Sequence, residues 1–168
     1  MKYTQRFCHL AENPDIPIME PIHRGDIIGR MGSTGKSTAP HVHTDGVEGY
    51  KGMVYHLTDM EHGFVKPAPR QCALFIDGEL FGFTAVEEAV LNERGVRACH
   101  ITSYYCDPDY KDADGRLILH MGYDIVPHDR HTTEKHYNLH WNRRHKGVVL
   151  SCGLDDAYGY YINIGYEI

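Results

Sequence analysis

The sequence predicts a mainly β fold, an antiparallel sheet with tight loops and one short helix, in a single domain of 168 residues. Segments rich in β-branched and aromatic residues, separated by Gly, Asp and Asn turns, stand on both sides of one helical segment. The length is about that of one domain and is enough to bury a core without disulfide staples. The predicted order is therefore strands, one helix, then strands.

The predicted strands fall in two regions of the chain. Residues 1–45 contain "YTQRFCHL" and "RGDIIGRMG", and "HVHTDG" follows with a closing Asp-Gly turn. From residue 99 onward the strand-like segments are "CHITSYY", "RLILHMGYDIV", "KGVVLSCG" and "YGYYINIGYEI". We expect these two regions to supply the sheet.

The intervening block, residues 46–99, has a different character. "GMVYHL" is a candidate strand, and "CALFIDGELFGF" reads as a hairpin around an Asp-Gly turn. The predicted helix follows, with a capping box formed by Thr84 and Glu87 and a C-terminal cap at Gly95. We interpret this block as an insert or bridge that serves packing or linkage.

Composition excludes several classes of protein. A formal net charge of −6 argues against a general nucleic-acid binder, which usually has a basic face. No apolar run approaches a membrane span, and "MKYTQRFCHL" lacks the apolar stretch of a secretory signal, so neither membrane insertion nor a signal peptide is expected. Five cysteines without a close pair argue against a disulfide framework, whereas thirteen histidines make a metal or acid/base site worth mapping.

The segment "GRMGSTGKSTAPHVH", from Gly29 to His43, has two competing interpretations. Its Gly-Lys-Ser could belong to a loop that binds nucleotide phosphates, but that loop needs a glycine five residues before Gly35, where Arg30 stands. Pro40 also occupies the place where the following helix would need a free N–H. A nucleotide-binding protein, which would hold no stoichiometric zinc, is therefore only a third alternative.

The histidines at the end of this segment favour a metal site. On a strand, His41 and His43 project to the same side, as do His120 and Asp124 in "LILHMGYDIV", where Gly122 leaves room for a close approach. Two histidines and one carboxylate with an open fourth position form a catalytic zinc site, a role that His43, His120 and Asp124 would fill. Taken alone, the two-histidine pair is equally compatible with a structural role.

Three motifs together resemble those of the lysostaphin-type zinc metallopeptidases, which are cell-wall endopeptidases. "GRMGSTGKSTAPHVH" is similar to their Gly-x-Thr-Gly-x-Ser/Thr-x-Pro-His-x-His signature, "HMGYD" to their His-x-Gly-x-Asp zinc motif, and "RFCHL" to their Tyr-x-His-Leu. The resemblance covers roughly residues 1–45 and 100–168. It implies Zn²⁺ as cofactor and catalytic roles for His9 and His41, with Tyr105 as a weaker candidate for stabilising the oxyanion.

The order of these motifs departs from the family, in which His-x-Gly-x-Asp comes first rather than last. Circular permutation explains the order if "YINIGYEI" and "MKYTQRFCHL" form neighbouring strands and the 46–99 block bridges the original termini. The rival explanation is a site completed by swapping of halves between two chains.

Smaller departures affect the groove and one loop. Ala39 replaces the usual glycine, and Thr44-Asp45 replaces the usual Phe-Glu. The segment between Asp124 and Gly147 is longer than usual, and we interpret its five histidines as part of a solvated loop rather than a second metal site: His128, His131, His136, His140 and His145.

The function implied by the resemblance is zinc-dependent hydrolysis of peptide bonds in bacterial peptidoglycan, by a phage or bacterial enzyme that acts on the cell wall. The expected partner is a stem peptide or cross-bridge, and the expected state is a monomer, with a swapped dimer as the alternative. A non-catalytic wall-binding or regulatory relative is the competing function. Such relatives typically lose ligands, whereas this chain has all five expected polar residues.

Overall fold

The computed structural model describes residues 3–48, 54–55, 82–85, 97–103, 109–112, 114–118, 120, 122–127, 137–141 and 143–167. Within these ranges the chain forms eleven β-strands and no helix. The strands are β1 (Tyr3–Leu10), β2 (Pro21–Ile22), β3 (Ile27–Arg30), β4 (Val42–Glu48), β5 (Val54–Tyr55), β6 (Gly82–Ala85), β7 (Arg97–Ser103), β8 (Tyr123–Pro127), β9 (Tyr137–His140), β10 (Gly147–Asp155) and β11 (Gly159–Tyr166).

The strands pair in the order β2-β10-β11-β1-β4-β8-β7-β6-β9-β3, with β5 added beside β4. Every pairing among the described strands is antiparallel. The prediction of a mainly antiparallel β structure is therefore confirmed. No helix with the length and hydrophobicity to cross a bilayer occurs in the described part of the chain.

The predicted helix lies largely outside the described residues. Its proposed first residues, Thr84 and Ala85, end strand β6, where they pair with Asn138 and Tyr137 of β9. The predicted hairpin before it also lies outside the described residues, apart from Gly82 and Phe83 in β6. Within "GMVYHL", the structure describes Val54–Tyr55 as strand β5.

Strand β1 occupies the middle of the pairing order and connects the two motif-bearing regions. It pairs with β11 on one side, where Tyr3 lies opposite Tyr166, and with β4 on the other, where Cys8 lies opposite His43. The two segments that the sequence places side by side, "YTQRFCHL" and "YGYYINIGY", are thus neighbours. Strand β4 in turn pairs with β8, so that the three motifs lie on or beside the three consecutive strands β1, β4 and β8.

The hydrophobic core includes side chains from most of the described strands, among them β1, β9 and β11. Phe7 and Ile162, paired across β1 and β11, are fully buried, as is Trp141 after β9. The Trp141 ring makes edge contacts with Phe7 and Tyr166, at centroid distances of 6.3 and 5.6 Å, while its Nε1–H donates to the carbonyl oxygen of His145. Aromatic edge contacts of this kind add to the stability gained from apolar burial.

The glycine-rich loop, residues 29–36, packs against the turn between β10 and β11. The Thr34 hydroxyl donates to the Leu10 carbonyl and accepts from the Tyr160 amide, and the Lys36 amide donates to the Ala157 carbonyl. Strand β4, rather than a helix, begins at Val42. Because the Lys36 amide is committed to the protein and no helix N-terminus follows, this loop lacks the arrangement that holds nucleotide phosphates.

Two glycines make this packing possible, and replacing one of them tests it. Gly35 and Gly159 both have positive φ, at 72° and 66°, and a Cβ on Gly159 would collide with the backbone of Thr34. Gly159→Ala should lower the free energy of unfolding by about 2 to 5 kcal/mol, from left-handed strain plus overpacking.

Gly115 provides the matched control for that substitution. Its φ is 80°, but a Cβ there would meet no atom within 4 Å. Gly115→Ala should therefore cost only the backbone strain, about 1 to 2 kcal/mol. Urea denaturation of both variants measures the difference, and equal losses would show that the loop and the turn are not tightly packed.

Candidate metal centre

Three buried donor atoms converge at the junction of β4 and β8. His43 Nδ1, His120 Nε2 and Asp124 Oδ1 lie 3.2 Å from one another in each of the three pairings. A tetrahedral zinc ion with bonds of about 2.0 to 2.1 Å requires donor atoms about 3.3 Å apart. These residues, which the sequence selected as ligands, form a group that could hold a metal ion.

The strand register brings the ligands together. His43 on β4 lies directly opposite Asp124 on β8, and His120 precedes β8 by three residues. A Cβ on Gly122 would lie 2.5 Å from the Thr44 carbonyl oxygen and 2.8 Å from the His43 ring, so only glycine allows this close approach. His120 Nδ1 lies 3.0 Å from the buried Ser103 hydroxyl, a contact that holds the second ligand ring.

His9 and His41 stand beside the triad. Their ring centroids are 4.8 Å apart, and His41 Nε2 lies 3.4 Å from Asp124 Oδ1. His9 Nδ1 is 2.7 Å from the Thr34 carbonyl oxygen, and His41 Nδ1 is 2.8 Å from that of Ala39. Since a carbonyl oxygen only accepts, each Nδ1 carries the hydrogen, which leaves a lone pair on Nε2 of the neutral His9 ring, whereas Nε2 of His41 faces the Asp124 carboxylate.

The backbone at His9 is distorted. Its φ is 60°, which is uncommon for a residue other than glycine, and the β1–β11 register shifts between Phe7 and Leu10. The His9 amide donates to the Tyr158 carbonyl oxygen at 2.7 Å. Such strain is often found at functional sites, and here it occurs at a histidine next to the candidate metal ligands.

The pKa values of the metal-free site differ strongly between its histidines. Burial, aided by the charges of His41 and His43, lowers the pKa of His9 to about 4, so this ring is neutral at pH 7. Burial also works to lower the pKa of His43, but hydrogen bonds to Asp124 and Asp45 outweigh it and raise that pKa to about 9. For Asp124, hydrogen bonds from the surrounding histidines overcome burial and hold the carboxyl pKa well below its usual range.

Zinc affinity should therefore depend steeply on pH. A histidine binds a metal ion in its neutral form, so with a pKa of about 9 for His43 a bound metal ion would have to displace a proton from this ring below that pH. The association constant should rise about tenfold for each pH unit as pH increases from 6 towards 9 and then level off. Competition with a chromophoric chelator, corrected for its own protonation, measures this slope. A flat profile from pH 6 to 9 would contradict a protonated His43 in the metal-free protein.

The site opens into a cleft of about 210 Å³, lined by both candidate catalytic histidines, the three ligands and several side chains that the sequence did not select. Among the latter, Tyr110 stacks on the His120 ring at 3.9 Å, and burial raises the pKa of its phenol to about 12. Tyr158 lies across the cleft, with its ring 5.7 Å from that of His43. The predicted Tyr105 lies outside the described residues.

The extra histidines do not all belong to a solvated loop. His140 is fully buried in β9, and its Nδ1 lies 2.7 Å from the Gly25 carbonyl oxygen. The interpretation as a solvated loop is wrong for this residue, because pairing with both β3 and β6 places it inside the fold. His128, His131 and His136 lie outside the described residues.

No family model, curated protein or solved structure was found to match the chain. The geometry of this cleft and the motifs that supply its residues are therefore the observations that bear on function.

Proposed function

We propose that this protein is a zinc-dependent endopeptidase that hydrolyses peptide bonds in bacterial peptidoglycan. The observation that carries the proposal is the triad of His43, His120 and Asp124, with donor atoms 3.2 Å apart and two further histidines beside it in one cleft. Three protein ligands with a position left for water are typical of catalytic zinc sites, whereas structural sites usually have four protein ligands.

The two remaining histidines suit different steps of hydrolysis. Bound zinc would polarise the scissile carbonyl, and it would lower the pKa of a water molecule bound to the metal to about 7. His9, neutral at pH 7, is suited to take a proton from the attacking water and to pass it to the leaving amine. Burial works against protonation of His41, but Asp124 raises its pKa, which suits this ring to stabilise the negatively charged tetrahedral intermediate.

Tyr110 is a further candidate for the oxyanion. Its phenol is neutral at pH 7, and it lines the same cleft as His9 and His41. A neutral phenol can donate a hydrogen bond to developing negative charge. The role of Tyr105 stays a prediction, and both tyrosines are candidates for the same task.

The motif order and the strand pairing support a circularly permuted relative of the lysostaphin-type peptidases. Permutation requires the segments that carry Tyr3 and Tyr166 to be neighbouring antiparallel strands, and β1 and β11 pair in this way. The three motifs, separated by up to 115 residues between His9 and Asp124, line one cleft.

Lys36 and Lys111 also line this cleft, and their charges suit the carboxylates of peptidoglycan stem peptides.

Digestion of purified cell walls tests this function. The zinc-loaded protein should release new amino termini from walls, the chelator-treated protein should not, and added zinc should restore activity. Walls with direct cross-links and walls with glycine bridges, followed by mass analysis of the products, would identify the bond that is cleaved. Stoichiometric zinc and wall binding without any new amino terminus would instead indicate the non-catalytic relative.

A further inference from the structure

The far side of the His43 ring carries a second set of contacts. Nδ1 of this ring faces the two other donor atoms, at 3.2 Å from each. The other nitrogen, Nε2, lies 3.4 Å from Oδ2 of Asp45. Asp45 is buried and follows His43 by two positions on β4, so both side chains project to the same face of the sheet.

Arg6 holds the Asp45 carboxylate from the neighbouring strand. The two residues lie directly opposite each other in the β1–β4 pairing. Arg6 Nε donates to Oδ1 at 2.9 Å, and Nη2 donates to Oδ2, so the contact uses both carboxylate oxygens. The guanidinium also lies 4.1 Å over the Tyr158 ring, which lines the cleft. Bidentate pairing together with ring stacking restricts Arg6 to one orientation.

Thr44, the residue between His43 and Asp45, is fixed as well. Its hydroxyl donates to the Arg6 carbonyl oxygen at 2.9 Å and accepts from Gln5 Nε2 at the same distance. The Thr44-Asp45 pair, which departs from the family pattern, thus attaches β4 to β1 through both side chains. The carboxylate next to His43 has little freedom to move away.

We propose that Arg6 and Asp45 are positioning residues of the metal centre and that they act through His43. A neutral imidazole has one ring hydrogen, and only the tautomer with that hydrogen on Nε2 leaves the Nδ1 lone pair for a metal. Asp45 accepts the Nε2–H and selects this tautomer, and Arg6 fixes Asp45 in the orientation that does so. The inference rests on the metal centre of the proposed function but not on hydrolysis.

Zinc affinity is the quantity that tests this proposal. Asp45→Ala should weaken zinc binding about 10- to 100-fold, the usual effect of removing a partner that orients a ligand. Asp45→Asn keeps an acceptor oxygen and nearly the same shape, so its loss should be smaller. Arg6→Gln should weaken binding in the wild-type background but add little to Asp45→Asn, because Arg6 acts through the carboxylate.

Glu12→Gln is the matched control. Glu12 forms one long contact of 3.5 Å with Arg30 and has an exposed side chain, so its loss should leave zinc affinity unchanged. In the zinc-loaded protein, the Nε2 hydrogen of His43 should exchange slowly with water by NMR, and faster in Asp45→Ala. Thermal melts identify any variant that fails to fold, in which case the near-isosteric Asp45→Asn carries the comparison.

The outcomes separate this proposal from the peptidase. Zinc affinity within twofold of wild type in Asp45→Asn, Asp45→Ala and Arg6→Gln would overturn the positioning role while leaving the peptidase intact. If Arg6→Gln lowers zinc affinity equally in the wild type and in Asp45→Asn, Arg6 does not act through Asp45. If Arg6→Gln weakens zinc binding in the wild type but not in Asp45→Asn, and the protein cleaves no wall peptide, the positioning role is supported and the peptidase is refuted.

Discussion

Replacing His43 with alanine is expected to abolish stoichiometric zinc binding and to reduce wall hydrolysis to background. His43 supplies one of the three converging donor atoms, and its ring also contacts Asp45. Two remaining ligands would hold zinc far less well than three, and without zinc the protein would lose the group that is proposed to polarise the scissile carbonyl and to activate the water molecule. Zinc content by elemental analysis and release of amino termini from purified walls measure the two effects.

His23→Ala is the control for this experiment. His23 is a surface residue whose side chain is 63% exposed, and it lies outside the cleft. This variant should keep both zinc and hydrolysis. Undiminished wall hydrolysis by His43→Ala would refute the peptidase assignment, whereas loss of both zinc and hydrolysis with normal folding would support it. Melting curves of the metal-free proteins separate loss of the ligand from loss of the fold.

The residues of the candidate metal-binding triad could be selected from the sequence because their signal is local. His41 with His43 and His120 with Asp124 have even spacings on strand-like segments, and Gly122 marks a close approach, as the contact with Thr44 shows. Spacing along the chain could not predict that the His41–His43 motif and the His120–Asp124 motif lie side by side, because this depends on the β4–β8 register. Motif resemblance provided that link, because residues 81 positions apart leave no local pattern.

Other parts of the site had no local signal. The positive φ of His9 arises where the β1–β11 register shifts, and the stacking contact joins Tyr110 and His120, neither of which lies in one of the described strands. Arg6 and Asp45 are 39 positions apart and look like ordinary charged strand residues. These features depend on tertiary contacts that composition and periodicity do not encode.

In the fold, too, the features that depend on neighbouring residues could be predicted, whereas most of those that depend on residues far apart in the chain could not. The alternating segments of β1, β10 and β11 were identifiable as strands, and the neighbourhood of β1 and β11 followed from motif order. The position of β9 between β3 and β6 could not be predicted, because its four residues follow a polar, histidine-rich stretch of sequence. For this reason the sequence predicts a solvated loop at His140, which the structure buries.

Replacing His9 with asparagine is expected to lower kcat by about 10²- to 10⁴-fold while leaving zinc bound, the usual effect of losing a general base. His9 is not one of the three ligands, and its neutral ring has a free Nε2 lone pair because Nδ1–H donates to Thr34. Asparagine is among the residues that tolerate a φ of 60°, so this substitution removes the imidazole without adding backbone strain. Steady-state hydrolysis of a defined wall peptide measures kcat and KM separately, and kcat within threefold of wild type at full zinc content would exclude a catalytic role.

The same variant gives a second result that is independent of hydrolysis. Unfolded histidine takes up a proton near its ordinary pKa of 6.5, but folded His9 does so only near 4, because burial disfavours its charged form. Between these values the unfolded state binds more protons than the folded state, so this residue makes the protein less stable as pH falls from 6.5 towards 4. His9→Asn lacks this proton uptake, and its free energy of unfolding in the metal-free protein should fall less steeply over the same window. Parallel slopes for the two proteins would show that burial does not lower the pKa of folded His9 below that of the unfolded residue.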